Sequence, residues 1–181
     1  MRQPKLTGAI LPSSPHLAER MIQQIDFDKA ASIVEFGPGT GSFTRLILSR
    51  KRECTSFFAL ELNENMYLDL HRQYPELLLY NDSATRIHDY LQKNRLTRVD
   101  AVISGLPWAN FSEQTQDEIL IPTISALHPG GTFSCFAYLQ GLVLPSAIRF
   151  RRKLNRYFRD VKVSPVVWRN CPPAIVYWCT R

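Results

Sequence analysis

Short apolar runs alternate with amphipathic stretches from residue 31 onward. The run ASIVEF, residues 31–36, is too short for a helix and is closed by glycine, so it predicts a buried strand. Residues 42–51, SFTRLILSRK, predict the helix that follows. SFFALEL at 56–62 predicts a second strand ending on an acid, Glu61. Residues 63–74 then predict a helix: Asn63 suits the N-cap, Met66, Leu70 and Tyr74 fall at helical spacing, and Pro75 ends it. A third strand is expected at 77–81, a short helix at 84–94, and a fourth strand at 99–107 that runs into a Gly-Pro turn. Residues 112–127 predict a helix capped by Ser112 and kinked by Pro122. HPGG at 128–131 predicts a turn before a fifth strand at 132–139. Residues 146–158 predict a basic amphipathic helix. Runs at 160–168 and 174–180, joined by RNCPP, predict an antiparallel pair of strands.

Seven strands, with helices between the first five and a closing hairpin, predict an α/β protein: one domain over residues 1–181, Rossmann-like, with an antiparallel C-terminal hairpin. Residues 1–30 precede the first strand and hold one short helix, 15–25. In such sheets the ligand lies beyond the carboxyl ends of the strands. Candidate chemistry therefore belongs just after strands one to four.

Composition narrows the class. Apolar residues make up 45% and charged residues 21%, so the bulk of the chain should fold. No apolar run approaches the roughly 20 residues that span a bilayer, and the N-terminus lacks the apolar core of a signal peptide. The four cysteines form no CxxC pair, so neither a metal nor a disulfide framework is expected, and a cytoplasmic location fits. The charge is uneven. Residues 141–181 hold nine Lys/Arg against one acid, Asp160, while the rest of the chain is slightly acidic. A patch of that sign suits an anionic surface, either lipid headgroups or nucleic acid.

The strand ends carry the chemistry. After strand one stands Glu35, then Gly37-Pro38-Gly39-Thr40-Gly41. The spacing G-x-G-x-G differs from the dinucleotide fingerprint, and an acid beside the loop would repel phosphate. Both features favour a ligand with a cationic end and no phosphate, which describes S-adenosylmethionine. Glu35 can act on it directly or by ordering the loop. Glu61, at the end of strand two, stands where an acid takes ribose hydroxyls. Asp82-Ser83-Ala84 follow strand three, and Ser104-Gly105-Leu106-Pro107-Trp108 follow strand four.

These motifs resemble the class I S-adenosylmethionine-dependent methyltransferases over nearly the full chain. Within that class GAILPSSPHLAERM, VEFGPGTGSFT, ISGLPWANF and RNCPPAIVYW resemble the bacterial phospholipid N-methyltransferases. The resemblance implies a seven-stranded methyltransferase sheet. It implies cofactor contacts from Glu35, Gly37, Pro38, Gly39, Thr40, Gly41, Glu61, Leu62, Asp82, Ser83, Ala84 and Ser104. It also implies stepwise methyl transfer to the amine of phosphatidylethanolamine or its methylated products, and an N-terminal segment, 1–30, that covers the cofactor. Substrate contacts are expected from Ser13, Ser14, Gly105, Leu106, Pro107 and Trp108, with Arg151 and Arg152 meeting anionic lipid at the inner face of the membrane. The core also resembles the ribosomal RNA adenine dimethyltransferases, which place an Asn after strand four to hold the base amine. Here that position is Gly105. Rival readings are an RNA adenine N6-methyltransferase and a non-catalytic protein that binds the cofactor.

An alkyl amine must lose a proton before it attacks the methyl group. His16 and Tyr138 are the candidates to accept or relay it. Trp108 is expected to offer an aromatic wall to the growing quaternary cation.

Overall fold

The computed structural model describes residues 12–181. All five residues of β1 (Ser32–Phe36) are buried, which is what a central strand covered on both faces requires. It pairs in parallel with β2 (Ser56–Leu60) and with β4 (Val99–Ser104). Outside these lie β3 (Leu78–Tyr80) and β5 (Leu127–Tyr138). β7 (Ala174–Thr180) enters antiparallel between β5 and β6 (Asp160–Val163), giving the order β3-β2-β1-β4-β5-β7-β6. Strand order reverses between β1 and β4, and the crevice opens there. This is the expected single-domain α/β sheet with its antiparallel C-terminal hairpin.

Alternation along the strands feeds two apolar layers. Ile33, Phe57 and Ile103 pack under α1 (Pro15–Ile22), α2 (Ser42–Arg50) and α3 (Glu64–Gln73). Val34, Phe36, Phe58 and Phe133 pack under α4 (Ile87–Lys93), α5 (Glu113–Ala126) and α6 (Pro145–Tyr157). Three helices start on side-chain caps: Ser14 accepts from the Leu17 N–H, Asn63 from Met66 and Ser112 from Thr115. Each satisfies a backbone donor that the helix itself leaves free.

Three expectations need correction. HPGG is not a turn between elements but an irregularity inside β5. Val99 pairs with Leu127 and Ala101 with Thr132, so residues 128–131 bulge, with Gly130 at φ 81°. The strand expected at 160–168 stops at Val163. Pro165 has no N–H to donate, and only Val167 regains a single bridge, to Ala174. Finally, the basic helix does not present all its cations outward. The Lys153 ammonium turns in to Asp117 (2.7 Å) and the Glu113 carbonyl (2.9 Å).

Of the 1–30 segment expected to cover the cofactor, residues 1–11 lie outside the described residues. The remainder forms α1, seated on the sheet through Leu17, Ala18, Met21 and Ile22. The Trp178 indole N–H donates to the Arg20 carbonyl and fixes the helix against β7.

Candidate active site

The glycine loop leaves β1 with Gly37 at φ 60°, a backbone that side-chain-bearing residues rarely adopt. The Gly37 N–H donates to the Leu60 carbonyl and the Gly105 N–H to the Phe36 carbonyl. These bonds hold the ends of β2, β1 and β4 side by side. The approach is close. A Cβ on Gly105 would stand 2.4 Å from the Gly37 carbonyl oxygen. Position 105 therefore excludes any side chain, an asparagine included. Gly105→Ala should cost about 1–3 kcal/mol, as overpacking against unyielding backbone does. Urea denaturation reads this directly, and unchanged stability would show that the two loops can part freely.

Glu61 is 6% exposed at the end of β2. One carboxylate oxygen accepts the Gly39 N–H (3.0 Å) and the other the Asn63 N–H (2.9 Å). A single side chain thus ties the glycine loop to the start of α3. Leu62 beside it is 66% exposed and Met66 reaches toward Gly39. Asp82 accepts from the Ser83 N–H, the Tyr90 hydroxyl and Arg86 (2.6 Å). Burial pushes its pKa up, but these donors and the arginine charge outweigh that and hold it below the usual carboxylate range. Ser83 accepts from the Thr85 N–H and starts the turn in which Ala84 is buried.

Glu35 departs from the direct role expected of it. It is fully buried beneath α2, with one oxygen accepting from the Thr44 hydroxyl (2.7 Å) and the other without a hydrogen-bond partner. Burial pushes its pKa up to about 8, and the neighbouring Glu61 charge adds to this, while the Thr44 bond opposes it. The side chain is sealed from the crevice. Of its two expected roles, ordering the loop is the one its position permits.

Trp108 also needs correction. It is 2% exposed and stacks on Phe150, with centroids 4.4 Å apart and planes 15° from parallel. Its indole N–H donates to the Ser104 hydroxyl (3.0 Å). No aromatic face is left for a substrate cation, and Ser104 is occupied inside the protein. Phe150 comes from α6, far along the chain, so this stack could not be read locally. Leu106 lies over Gly37 and is half-buried, while Pro107 is exposed.

His16 is exposed and meets Arg169 (3.4 Å) in the groove between α1 and residues 166–169. It lines that groove and does not belong to the loop after β4. Ser14 uses its hydroxyl to cap α1 and its N–H on the Asn170 carbonyl-type oxygen (2.9 Å), so it is structural. Ser13 beside it is half-buried. Tyr138 stands half-buried at the carboxyl end of β5, edge-on to Phe136. Burial raises its pKa further, so at neutral pH it is a hydrogen-bond donor and not a base. Arg151 and Arg152 are exposed on α6.

The sequence suggested Gln116 only as a partner of the Ser112 cap and gave it no place at the site. Buried on α5, its amide donates to the Trp108 carbonyl (3.0 Å) and the Ser146 carbonyl (3.1 Å). It pins the loop after β4 to the start of α6. The available signal was a polar residue on the helical stripe Gln116, Ile119, Leu120, Thr123. Asn170 was missed too. Its side chain joins Ser14 to the Pro172 carbonyl.

No protein-family model matches the chain. It is 27% identical to an ornithine lipid N-methyltransferase of Singulisphaera acidiphila, over 95% of this chain and 87% of that protein. It is 29% identical to a ribosomal RNA small subunit methyltransferase of Arabidopsis thaliana, over 66% of this chain but only 33% of that protein. In fold it resembles a methyltransferase structure from Streptococcus mutans in complex with SAH, with a TM-score of 0.66, 17% identity, and coverage of 94% of this chain and all of that one. Taken with the glycine loop and the strand-end acids, these likenesses identify the chain as a class I S-adenosylmethionine-dependent methyltransferase, with S-adenosylmethionine as its methyl donor.

Proposed function

We propose that this methyltransferase transfers the methyl group to the amine of an aminophospholipid such as phosphatidylethanolamine, or to its partly methylated products. The cofactor would lie across the crevice at the ends of β1 to β4. Glu61 would take the ribose hydroxyls while it holds the Gly39 N–H. Exposed Leu62 would pack on the adenine, and Asp82 and Ser83 would flank it. The glycines let the backbone approach the methionine portion.

Gly105 carries the choice of acceptor. An enzyme that aligns a planar base amine with an asparagine after β4 has a side-chain acceptor at this point. Here the Gly37 carbonyl bars one. A flexible alkyl amine is aligned instead by the backbone near Leu106. Methyl transfer is an in-line displacement, so the protein's contribution is proximity, orientation and exclusion of water. The amine, with an ordinary pKa of roughly 10, would give its proton to bulk water before it is buried, and desolvation in the crevice favours the neutral form. Tyr138, protonated at neutral pH, does not take that proton.

Likeness to a lipid N-methyltransferase along 95% of the chain supports this reading. Among the described residues no helix is long and apolar enough to cross a membrane, which fits peripheral attachment at the cytoplasmic face. The rival, methylation of an RNA adenine, draws on the likeness to the Arabidopsis protein and on the basic C-terminal end. Lipid extracts of cells expressing the protein should show phosphatidylethanolamine species heavier by successive methyl groups. An unchanged lipid profile beside newly methylated ribosomal RNA would favour the rival.

A further inference from the structure

The connection from β5 to α6 carries an apolar knuckle. Val143 is 77% exposed, Leu144 41% and Ile148 43%. Leu144 and Ile148 stand one helical turn apart, so they share a face. Exposed arginines follow at once, Arg151 and Arg152. Three adjacent exposed aliphatics are costly in water, and a cation belt on the next turn gives the segment two chemically distinct layers.

The knuckle is joined to the loop that the proposed acceptor would meet. The Ser146 hydroxyl donates to the Ala109 carbonyl, and the Ser146 carbonyl accepts from Gln116, which also holds Trp108. A Cβ on Gly141 would stand 3.7 Å from the Ala109 side chain, so the two loops run side by side. Whatever seats the knuckle therefore lies beside the mouth of the crevice.

From this placement we infer that Val143, Leu144 and Ile148 insert into the interface of an anionic bilayer, with the α6 arginines at headgroup level, and that this seats the crevice mouth on the membrane. The inference rests on the lipid reading of the active site and names the surface through which that site is reached. Two observations select a bilayer as the occupant. On the turns of α6 that follow the knuckle Arg151, Arg152 and Arg156 are exposed, which matches an anionic surface. The aliphatics precede the arginines by one turn, an arrangement suited to interfacial insertion. Nucleic acid would use the arginines but gains nothing from exposed valine, leucine and isoleucine.

The test uses the full chain and vesicles of phosphatidylglycerol alone, with neither cofactor nor amine lipid. Methyl transfer then plays no part in the result. Val143→Trp places a fluorophore on the knuckle, at an exposed site where folding should be undisturbed, and circular dichroism checks this. Its added emission should shift to the blue on vesicle binding and be quenched by brominated acyl chains. Val143→Asp should weaken partitioning roughly tenfold, the loss expected when one aliphatic side chain no longer leaves water. That loss should persist at high salt, whereas Arg151→Gln with Arg152→Gln should matter mainly at low salt. Vesicle binding without quenching at position 143 would overturn the inference, as would no vesicle binding. Insertion followed by no methylation of any lipid amine would uphold the docking face and defeat the acceptor reading.

Discussion

Glu35→Gln should flatten the pH dependence of stability relative to the wild type between the ordinary carboxyl value of 4.5 and about 8. In the folded protein burial keeps Glu35 protonated over this window. In the unfolded chain the same carboxyl ionises. The unfolded state thus binds fewer protons, and wild-type stability falls as pH rises until the folded carboxyl itself ionises. The slope from this one group is about 1.4 kcal/mol per pH unit, so the whole window is worth roughly 4–5 kcal/mol. The glutamine variant lacks the slope. Near pH 5 it should be the less stable protein by about 1–3 kcal/mol, because its amide brings buried donors without partners. Near pH 8 that deficit should close or reverse. Urea denaturation of both proteins across the window checks this, and parallel stability curves would mean that Glu35 is ionised in the folded state.

Glu61→Ala should weaken S-adenosylmethionine binding by about 1.5–3 kcal/mol, the scale of lost hydrogen bonds to a charged acceptor. The structure adds a reason beyond the ribose. The same carboxylate accepts from Gly39 and Asn63, so its removal also frees the glycine loop. Glu61→Gln keeps one acceptor and should lose less. S-adenosylhomocysteine shares the ribose and should suffer equally. Calorimetry that found the alanine variant binding as tightly as the wild type would remove Glu61 from the cofactor site.

Local sequence carried much of the fold. Short apolar runs located all seven strands, and Asn63 and Ser112 were legible as caps because capping needs only the chain a few residues ahead. Features that depend on distant partners were not legible. Trp108 looked like a free aromatic beside the crevice, but Phe150 from α6 claims its face. Lys153 looked solvated, yet Asp117 on α5 draws it inward. The bulge at 128–131 depends on how β5 registers against β4, which no local pattern states. The candidate site divides in the same way. Glu61 and Asp82 could be placed by their strand ends. The sealing of Glu35 under α2 and the contact that keeps position 105 bare needed the packed structure.

That contact bears on the central claim, that the acceptor is a lipid amine. The most direct measurement offers both acceptors in one reaction. Purified protein receives methyl-labelled S-adenosylmethionine together with vesicles of phosphatidylethanolamine and phosphatidylglycerol, and with unmodified small-subunit ribosomal RNA. Solvent extraction then separates lipid from RNA. Label should enter the lipid phase and co-migrate with methylated phosphatidylethanolamine, leaving the RNA unlabelled. Label in the RNA with none in the lipid would contradict the account.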